Sequence, residues 1–480
     1  MKFLLTFFAG RFILREKFEG EYEMTLDTLI DEYEKRTPKS KAAFGEAVQQ
    51  VAGGVSANIK YFDPYPIFME HGKGAWITDV DGNRYVDYVL SYGPLILGHG
   101  NEEVLATMQQ YLAEHGTMLY GTPHTLEGAF AKKLRSYYPS MELVRYTNSG
   151  TEATLLTLRL AYAYTHKYKF AKFEGHYHGG YNQVLVSVNP KVAEAGDIRH
   201  PTPVPESAGL SPQQMEETLV LPFNDLEACR EILTAHKDEL AAVIMEPIIA
   251  GFIPATKEFM QGIRKLTAEL GILMIMDEVK TGFRITLGGA QQYYGVKPDL
   301  TAMGKVIGAG LPVGVVGGKK EIMLQAAPLM GSDIFDMGNG GRSTAKDVLF
   351  HSGTYNGHPM ILAMGMKTIE ILEKNLDTII AHTTRLREGI QQLYAEHGIH
   401  VAMTGVGTMF NIAITELEEI HTYRDMQTSD FALRKKIDYA LLLEGVYNKP
   451  GNRYNLSLAH DDAVIDFTLD AYRKALKKVL

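Results

Sequence analysis

Absences bound this chain first. Its 480 residues contain one cysteine, Cys229, which excludes an intramolecular disulfide and a cysteine zinc cluster and is compatible with a reducing compartment. Cys229 itself reads as a small, buried apolar residue. No Lys/Arg block is dense enough to track a phosphate backbone, and a formal charge of -9 with a pI near 6.0 argues against a nucleic-acid footprint. No run of twenty apolar residues is available to span a bilayer, and neither an internal repeat nor a low-complexity tract interrupts the chain. A membrane partner, a nucleic-acid partner and a metal site are therefore not expected. What is present is an ordinary globular composition at a length that suits a large domain plus a smaller one, as in a cytoplasmic metabolic enzyme.

The organisation follows from punctuation and periodicity. Thr25 or Asp27 caps an amphipathic helical stretch that Pro38 breaks and Gly53-Gly54 ends. GAWITDVDGNRYVDYV alternates apolar and polar residues around Asp81-Gly82, a hairpin signal. From Glu102 helical patterns alternate with the short apolar runs LVRYT, YKFAKF, AAVIMEP, LMIMDE and LTAMG, which predicts a three-layer α/β domain. The Pro-rich segment from Asn189 to Pro212 reads as a long loop over the site, and GSDIFDMGNGGRSTAKD as a second irregular segment. After Pro359, two helical patterns and the strands VAMTGVGTMFNIAI and YNLSLAH predict a small α+β domain.

The chain is organised around the stretch from Ile272 to Gly318, where one apolar run stops at Asp277-Glu278 and a second at Gly304-Lys305. Buried parallel strands open at their carboxyl ends into the ligand crevice, so Asp277 and Lys305 are expected to face one site. A lysine among apolar neighbours can serve as an amine nucleophile, and an acid on the next strand can hold a cationic ring nitrogen. Pyridoxal phosphate needs that pair: a Schiff-base lysine and a carboxylate for its pyridinium nitrogen.

MDEVKTGFR followed by GGAQQYYGVKPDLTAMGKVIGAGLPVG resembles the core of the class III, fold-type I aminotransferases, and further motifs occur in order from about Val51 to about His460. Within the class, the branch holding glutamate-1-semialdehyde aminomutase and the β-amino-acid aminotransferases is most similar. The resemblance implies a large three-layer α/β/α domain over residues 75–358. Residues 1–74 would give an N-terminal arm and part of a smaller α+β domain, completed by residues 359–480. It also implies that the family's start lies near Met24. The preceding MKFLLTFFAGRFILREKF, signal-like but interrupted by Arg11, then reads as an extended start or a short added helix.

Site roles follow from the same resemblance. Asn148–Ala153, NSGTEA, alone reads as a capped helix start with Ser149 or Thr151 as cap; in the family it is the phosphate cup of Ser149, Gly150 and Thr151. Tyr177 takes the place of the aromatic that stacks on the pyridine ring, and Val279 that of the residue on its second face. His178 fits a structural or a catalytic role, and His176 has none assigned. Glu278 fits an N-capping carboxylate, and Glu246 scaffold. Gly353 and Thr354 of HSGTYNGHP are implied to reach the phosphate in a neighbouring subunit, which makes a homodimer with shared sites the expected assembly.

Substrate residues depart from the family. The aminomutase's carboxylate-gripping arginine falls at Lys60, the arginine of the β-amino-acid enzymes falls at Ala57, and the stretch before SLAH lacks the aminomutase's glutamate. Lys60 and Arg453 are the candidates to replace that grip. The expected activity is amino transfer from a β- or ω-amino donor to an oxo-acid acceptor, with an intramolecular aminomutase as the alternative. A substrate without a free carboxylate, or one tethered to a carrier, is a third possibility.

Overall fold

The computed structural model describes residues 24–328 and 348–480. The opening stretch before Met24 and the segment from Gly331 to Asp347 lie outside the described residues. No helix among the described residues is long and apolar enough to cross a membrane.

A seven-stranded sheet forms the centre. In chain order its strands are β1 (Leu143–Thr147), β2 (Lys169–Phe173), β3 (Thr218–Leu221), β4 (Leu240–Met245), β5 (Leu273–Asp277), β6 (Leu300–Gly304) and β7 (Gly314–Gly318). Their order across the sheet is β1-β7-β6-β5-β4-β2-β3. All neighbours run parallel except β7, which is antiparallel to both β6 and β1.

The sequence explains the layers. β4, β5 and β6 are buried along their whole length, as strands covered on both faces must be. Alternation then divides their side chains. Val243, Met245, Met274 and Met276 pack on one side with Leu233, Phe259 and Ile263 from helices Leu226–His236 and Lys257–Leu270. Ala242, Ile244, Ile275 and Ala302 pack on the other with Leu156, Leu160 and Ala161 of helix Gly150–Thr165. Each such Leu or Ile stabilises the fold by about 1.5–3 kcal/mol.

The predicted hairpin forms, with Trp76–Asp79 antiparallel to Arg84–Asp87 and Gly82 at φ +90°. Asp79 fixes the turn by accepting from the N–H groups of Asp81 and Asn83. Met69–Lys73 adds on one side and Val446–Tyr447 on the other, so this sheet joins the segment around position 74 to the C-terminal region. Thr25 caps helix Leu26–Arg36, and Pro38 opens a new helix, Pro38–Ala47, as its missing N–H allows.

One expectation needs correction. The two helical patterns after Pro359 form one helix, Pro359–Glu396, of 38 residues and about 57 Å. Neither Pro nor Gly separates the patterns, and the apolar stripe through Ile369, Leu372, Leu376, Ile379 and Leu386 stays buried across the join. The loop from Asn189 to Pro212 is tied down beside Arg424, whose guanidinium pairs with Glu174 and also donates to the carbonyls of Ala195, Gly196 and Asp197. Among the described residues it makes no hydrogen bond to Asp277, Lys305 or the 148–151 turn.

Candidate active site

Asp277 ends β5 and pairs in register with Ala302 of β6, while Lys305 follows β6 directly. The parallel pairing puts both at the carboxyl edge of the sheet, on adjacent strands. Lys305 sits in a tight turn at φ +49°, a left-handed conformation that a side-chain-bearing residue seldom adopts and that is held here by the surrounding Gly-rich backbone. Burial lowers the Lys305 amine below the usual lysine range; Asp277 and Glu246 oppose that shift, and Arg453 and Arg284 add to it.

Asp277 is 4 % exposed and fixed at both oxygens. Oδ2 lies 2.8 Å from Nδ1 of His178, and Oδ1 accepts from the Val279 N–H at 3.0 Å. An ionised carboxylate can only accept, so His178 carries its proton on Nδ1, and its buried Nε2 is left without a partner. Burial pushes His178 below its ordinary range and Asp277 pulls it back. His178 is thus hydrogen-bonded to the carboxylate in a way that fixes its orientation. His176 is packed between Phe173 and Phe223 and accepts the Glu246 N–H at Nδ1.

The 148–151 turn lies against this pair. Ser149 Oγ accepts from Glu152 N at 3.1 Å and caps helix Gly150–Thr165, whose first-turn N–H groups have no intrahelical acceptor. A Cβ on Gly150 would stand 2.6 Å from Val279 Cγ1, and one on Gly304 3.4 Å from the same atom. Val279 is therefore wedged between the cup and the strand that carries Lys305. Tyr177 is 49 % exposed, with its N–H on Glu246 Oε2 at 2.8 Å. Glu278 points away from the crevice and caps helix Gly289–Tyr294 through the N–H groups of Ala290 and Gln291.

Gly353 and Thr354 lie in an exposed turn, tied to the cup through Asn356 Oδ1, which accepts from Asn148 Nδ2 at 3.0 Å. Lys60 is exposed, with Nζ on Ser56 Oγ at 2.7 Å, and lines a cavity of about 570 Å³ whose wall includes neither Lys305 nor Asp277. Arg453 is drawn into the crevice. Its guanidinium lies 5.7 Å from the centre of the Phe252 ring and has no hydrogen bond or ion pair among the described residues.

Two charged residues of the crevice, Lys280 and Arg284, escape a reading of the sequence, and a third, Glu246, reads there only as scaffold. Glu246 sits at the end of β4 and is raised to about 7 by burial and by Asp277. Arg284, fully buried, donates to the carbonyls of Gly93 and Leu456 and to Thr408 Oγ1, all of them neutral. Lys280 is buried with Nζ on Tyr92 O and Asn455 Oδ1. Lys280 and Arg284 lie three and seven residues past the end of a fully buried strand, and nothing local tells which way such side chains turn.

The fit to a phosphate-bearing pyridine ring can be judged from these residues. A helix start with free N–H groups, a clear floor where Gly150 meets Val279, an amine without a protein partner and a fixed carboxylate are gathered at the carboxyl edge of the sheet. Fold and site together define a fold-type I crevice of the pyridoxal-phosphate type. The chain belongs to the class-III aminotransferases: the family model Aminotransferase class-III matches residues 59–478. It is 40% identical over 452 residues to a glutamate-1-semialdehyde 2,1-aminomutase of Thermus thermophilus, covering 92% of this chain and 99% of that one. An omega-transaminase from Sphaerobacter thermophilus superposes with a TM-score of 0.83 at 33% identity, over 92% of this chain and 97% of that chain. A transaminase with PLP bound gives 0.80 at 30% identity, over 92% and 98%.

Proposed function

We propose that this protein is a pyridoxal-phosphate enzyme that moves an amino group on, or between, small carboxylate-bearing molecules. The observation that carries the proposal is the juxtaposition of Lys305 and Asp277 on adjacent strand ends beside a glycine-floored helix start. Pyridoxal phosphate, when bound, supplies an electron sink for the carbon that bears the amino group. Lys305 would hold it covalently, Asp277 would face its ring nitrogen, and Ser149, Gly150 and Thr151 would hold its phosphate. Tyr177 and Val279 would flank the ring.

The chain's own groups then divide the work. Lys305 takes the proton from the substrate carbon and returns it one position along, a task suited to an amine that burial holds below the usual lysine range. Asp277 would keep the ring nitrogen protonated, and His178 keeps the carboxylate aimed. Arg453, unpaired in the crevice, takes the substrate carboxylate. Lys60 serves only a substrate long enough to reach past Tyr92 into the neighbouring cavity. A homodimer belongs to the same proposal, as does a cytoplasmic setting. The turn at Gly353-Thr354 would supply the second subunit's phosphate contacts, and the exposed Phe350 and Tyr355 beside it would be covered by the partner.

Two finer readings remain, and the comparisons reverse the order that the substrate residues suggest. Intramolecular transfer, as in a glutamate-1-semialdehyde aminomutase, draws the stronger support, because relatives of that name reach 40% identity over 92% of this chain. Transfer from a β- or ω-amino donor to an oxo acid is supported at 33% by the Sphaerobacter transaminase and by lysine at position 60. Single-turnover product analysis separates them. A mutase completes its reaction on glutamate-1-semialdehyde with no added acceptor, whereas a transaminase stops with the amino group on the cofactor until an oxo acid is added. Absence of amino transfer from every β-amino, ω-amino and semialdehyde substrate refutes the proposal.

A further inference from the structure

The crevice holds two buried lysines. Lys280 follows β5 by three residues and turns inward, its stem against Gly251, where a Cβ would stand 2.9 Å from Lys280 Cε. Its Nζ donates to Tyr92 O at 3.0 Å and to Asn455 Oδ1 at 2.5 Å. The orientation of the Asn455 amide is fixed independently, since Nδ2 donates to the carbonyls of Tyr88 at 3.1 Å and Val89 at 3.2 Å. A Cβ on Gly93 would lie 2.9 Å from Lys280 Nζ and 3.5 Å from Lys305 Cδ. The two lysines therefore border the same glycine-lined gap.

Arg453 closes the group. Gly251 touches the Lys280 stem and the adjacent Phe252 lies under the Arg453 guanidinium, so one dipeptide carries both cations. Arg453 also stands two residues before Asn455, the spacing that keeps side chains of an extended segment on one side. A protonated Lys280 has three N–H donors and two protein acceptors, and Arg453 has five donors and none. Lys305 and Arg284 add further positive charge, and Glu246 is the carboxylate that offsets part of it. Burial, with Arg453 and Arg284 nearby, holds Lys280 well below the usual lysine range, which an incoming anion would reverse.

We propose that Lys280 is a specificity-determining residue: together with Arg453 it forms a two-cation seat for the substrate carboxylate, on the far side of the gap from Lys305. This rests on the reading that the substrate carries a carboxylate, and it holds for either mode of amino transfer. Lys280 gives its third N–H to one carboxylate oxygen, and the guanidinium takes the other. The seat supplies the grip for which neither position 57 nor position 60 carries an arginine.

The test uses the cofactor-loaded full chain and unreactive carboxylates, propionate, succinate and glutarate, with propionamide as the uncharged control, read by calorimetry. Lys280→Met is expected to weaken the best carboxylate tenfold or more, Arg453→Met likewise, and the double variant by less than the product of the two. Propionamide binding and the cofactor dissociation constant should change less than threefold. In turnover, KM for a carboxylate substrate should rise more than kcat falls. Lys280→Gln, which keeps an N–H for Asn455, guards against loss of fold and should weaken the carboxylate by a comparable factor. Carboxylate binding that is unchanged in Lys280→Met and Lys280→Gln, absent for all three probes in the wild type, or lost only together with the cofactor, overturns the seat. Carboxylate binding that depends on Lys280 in a protein that transfers no amino group supports the seat while refuting the functional reading.

Discussion

Gly150→Ala isolates the contact on which the cofactor floor depends. The new Cβ would stand 2.6 Å from Val279 Cγ1 and 3.0 Å from Cγ2, where ordinary contact begins near 3.4 Å, so Val279 must retreat by about 0.8 Å, the gap between 2.6 and 3.4 Å. It has little room to do so. Its N–H is held by Asp277 Oδ1 at 3.0 Å, and Gly304 backs the same methyl. Overpacking of this kind costs about 1–3 kcal/mol. Borne by the loaded state, that cost weakens cofactor binding by roughly 5- to 150-fold, at about 1.4 kcal/mol per tenfold. Apoprotein titrated with pyridoxal phosphate, followed by the visible absorbance of the bound form, gives the dissociation constant. Val279→Ala in the same chain removes both opposing methyls and should recover at least a third of the loss in free energy. A Gly150→Ala protein that binds like the wild type, or a double variant no better than the single one, refutes the reasoning.

Asp277→Asn keeps the shape and can still accept the Val279 N–H, but it removes the charge that the proposed site would set beside the ring nitrogen. Breaking such a buried pair costs about 3–5 kcal/mol, so the single-turnover rate of amino transfer should fall at least about a hundredfold while far-UV circular dichroism stays unchanged. His460 is fully buried on Ser457 Oγ, and burial lowers it to about 4. Between about pH 6.5 and pH 4 the unfolded chain binds a proton there that the native state does not. Stability should therefore rise with pH through this window, by up to about 3 kcal/mol from this residue, and urea unfolding of His460→Asn should show a slope smaller by close to one proton.

Much of the fold and part of the site were legible in the residues. Fully apolar runs that stop at a charge marked β4, β5 and β6, and the same stops marked Asp277 and Lys305, because a charge at the end of a buried strand can open into a cleft. Ser149 and Gly150 were readable as a helix start. What could not be read is what depends on direction or on distant pairing. Lys280 and Arg284 follow β5 within a few residues, and no local pattern tells whether such a side chain turns outward or, as here, inward onto Tyr92 and Gly93. The pairing of Arg84–Asp87 with Val446–Tyr447 spans most of the chain. Lys60 and Arg453 looked equivalent by charge, and only the fold separates an exposed turn bonded to Ser56 from a crevice wall.

Two buried lysines in one crevice make the central claim open to a direct test. The protein loaded with pyridoxal phosphate is treated with borohydride, digested and mapped by mass spectrometry. The account predicts one reduced pyridoxyl adduct, on Lys305, lost in Lys305→Ala and retained in Lys280→Met. An adduct on Lys280, or no adduct on a protein saturated with the cofactor, would contradict it.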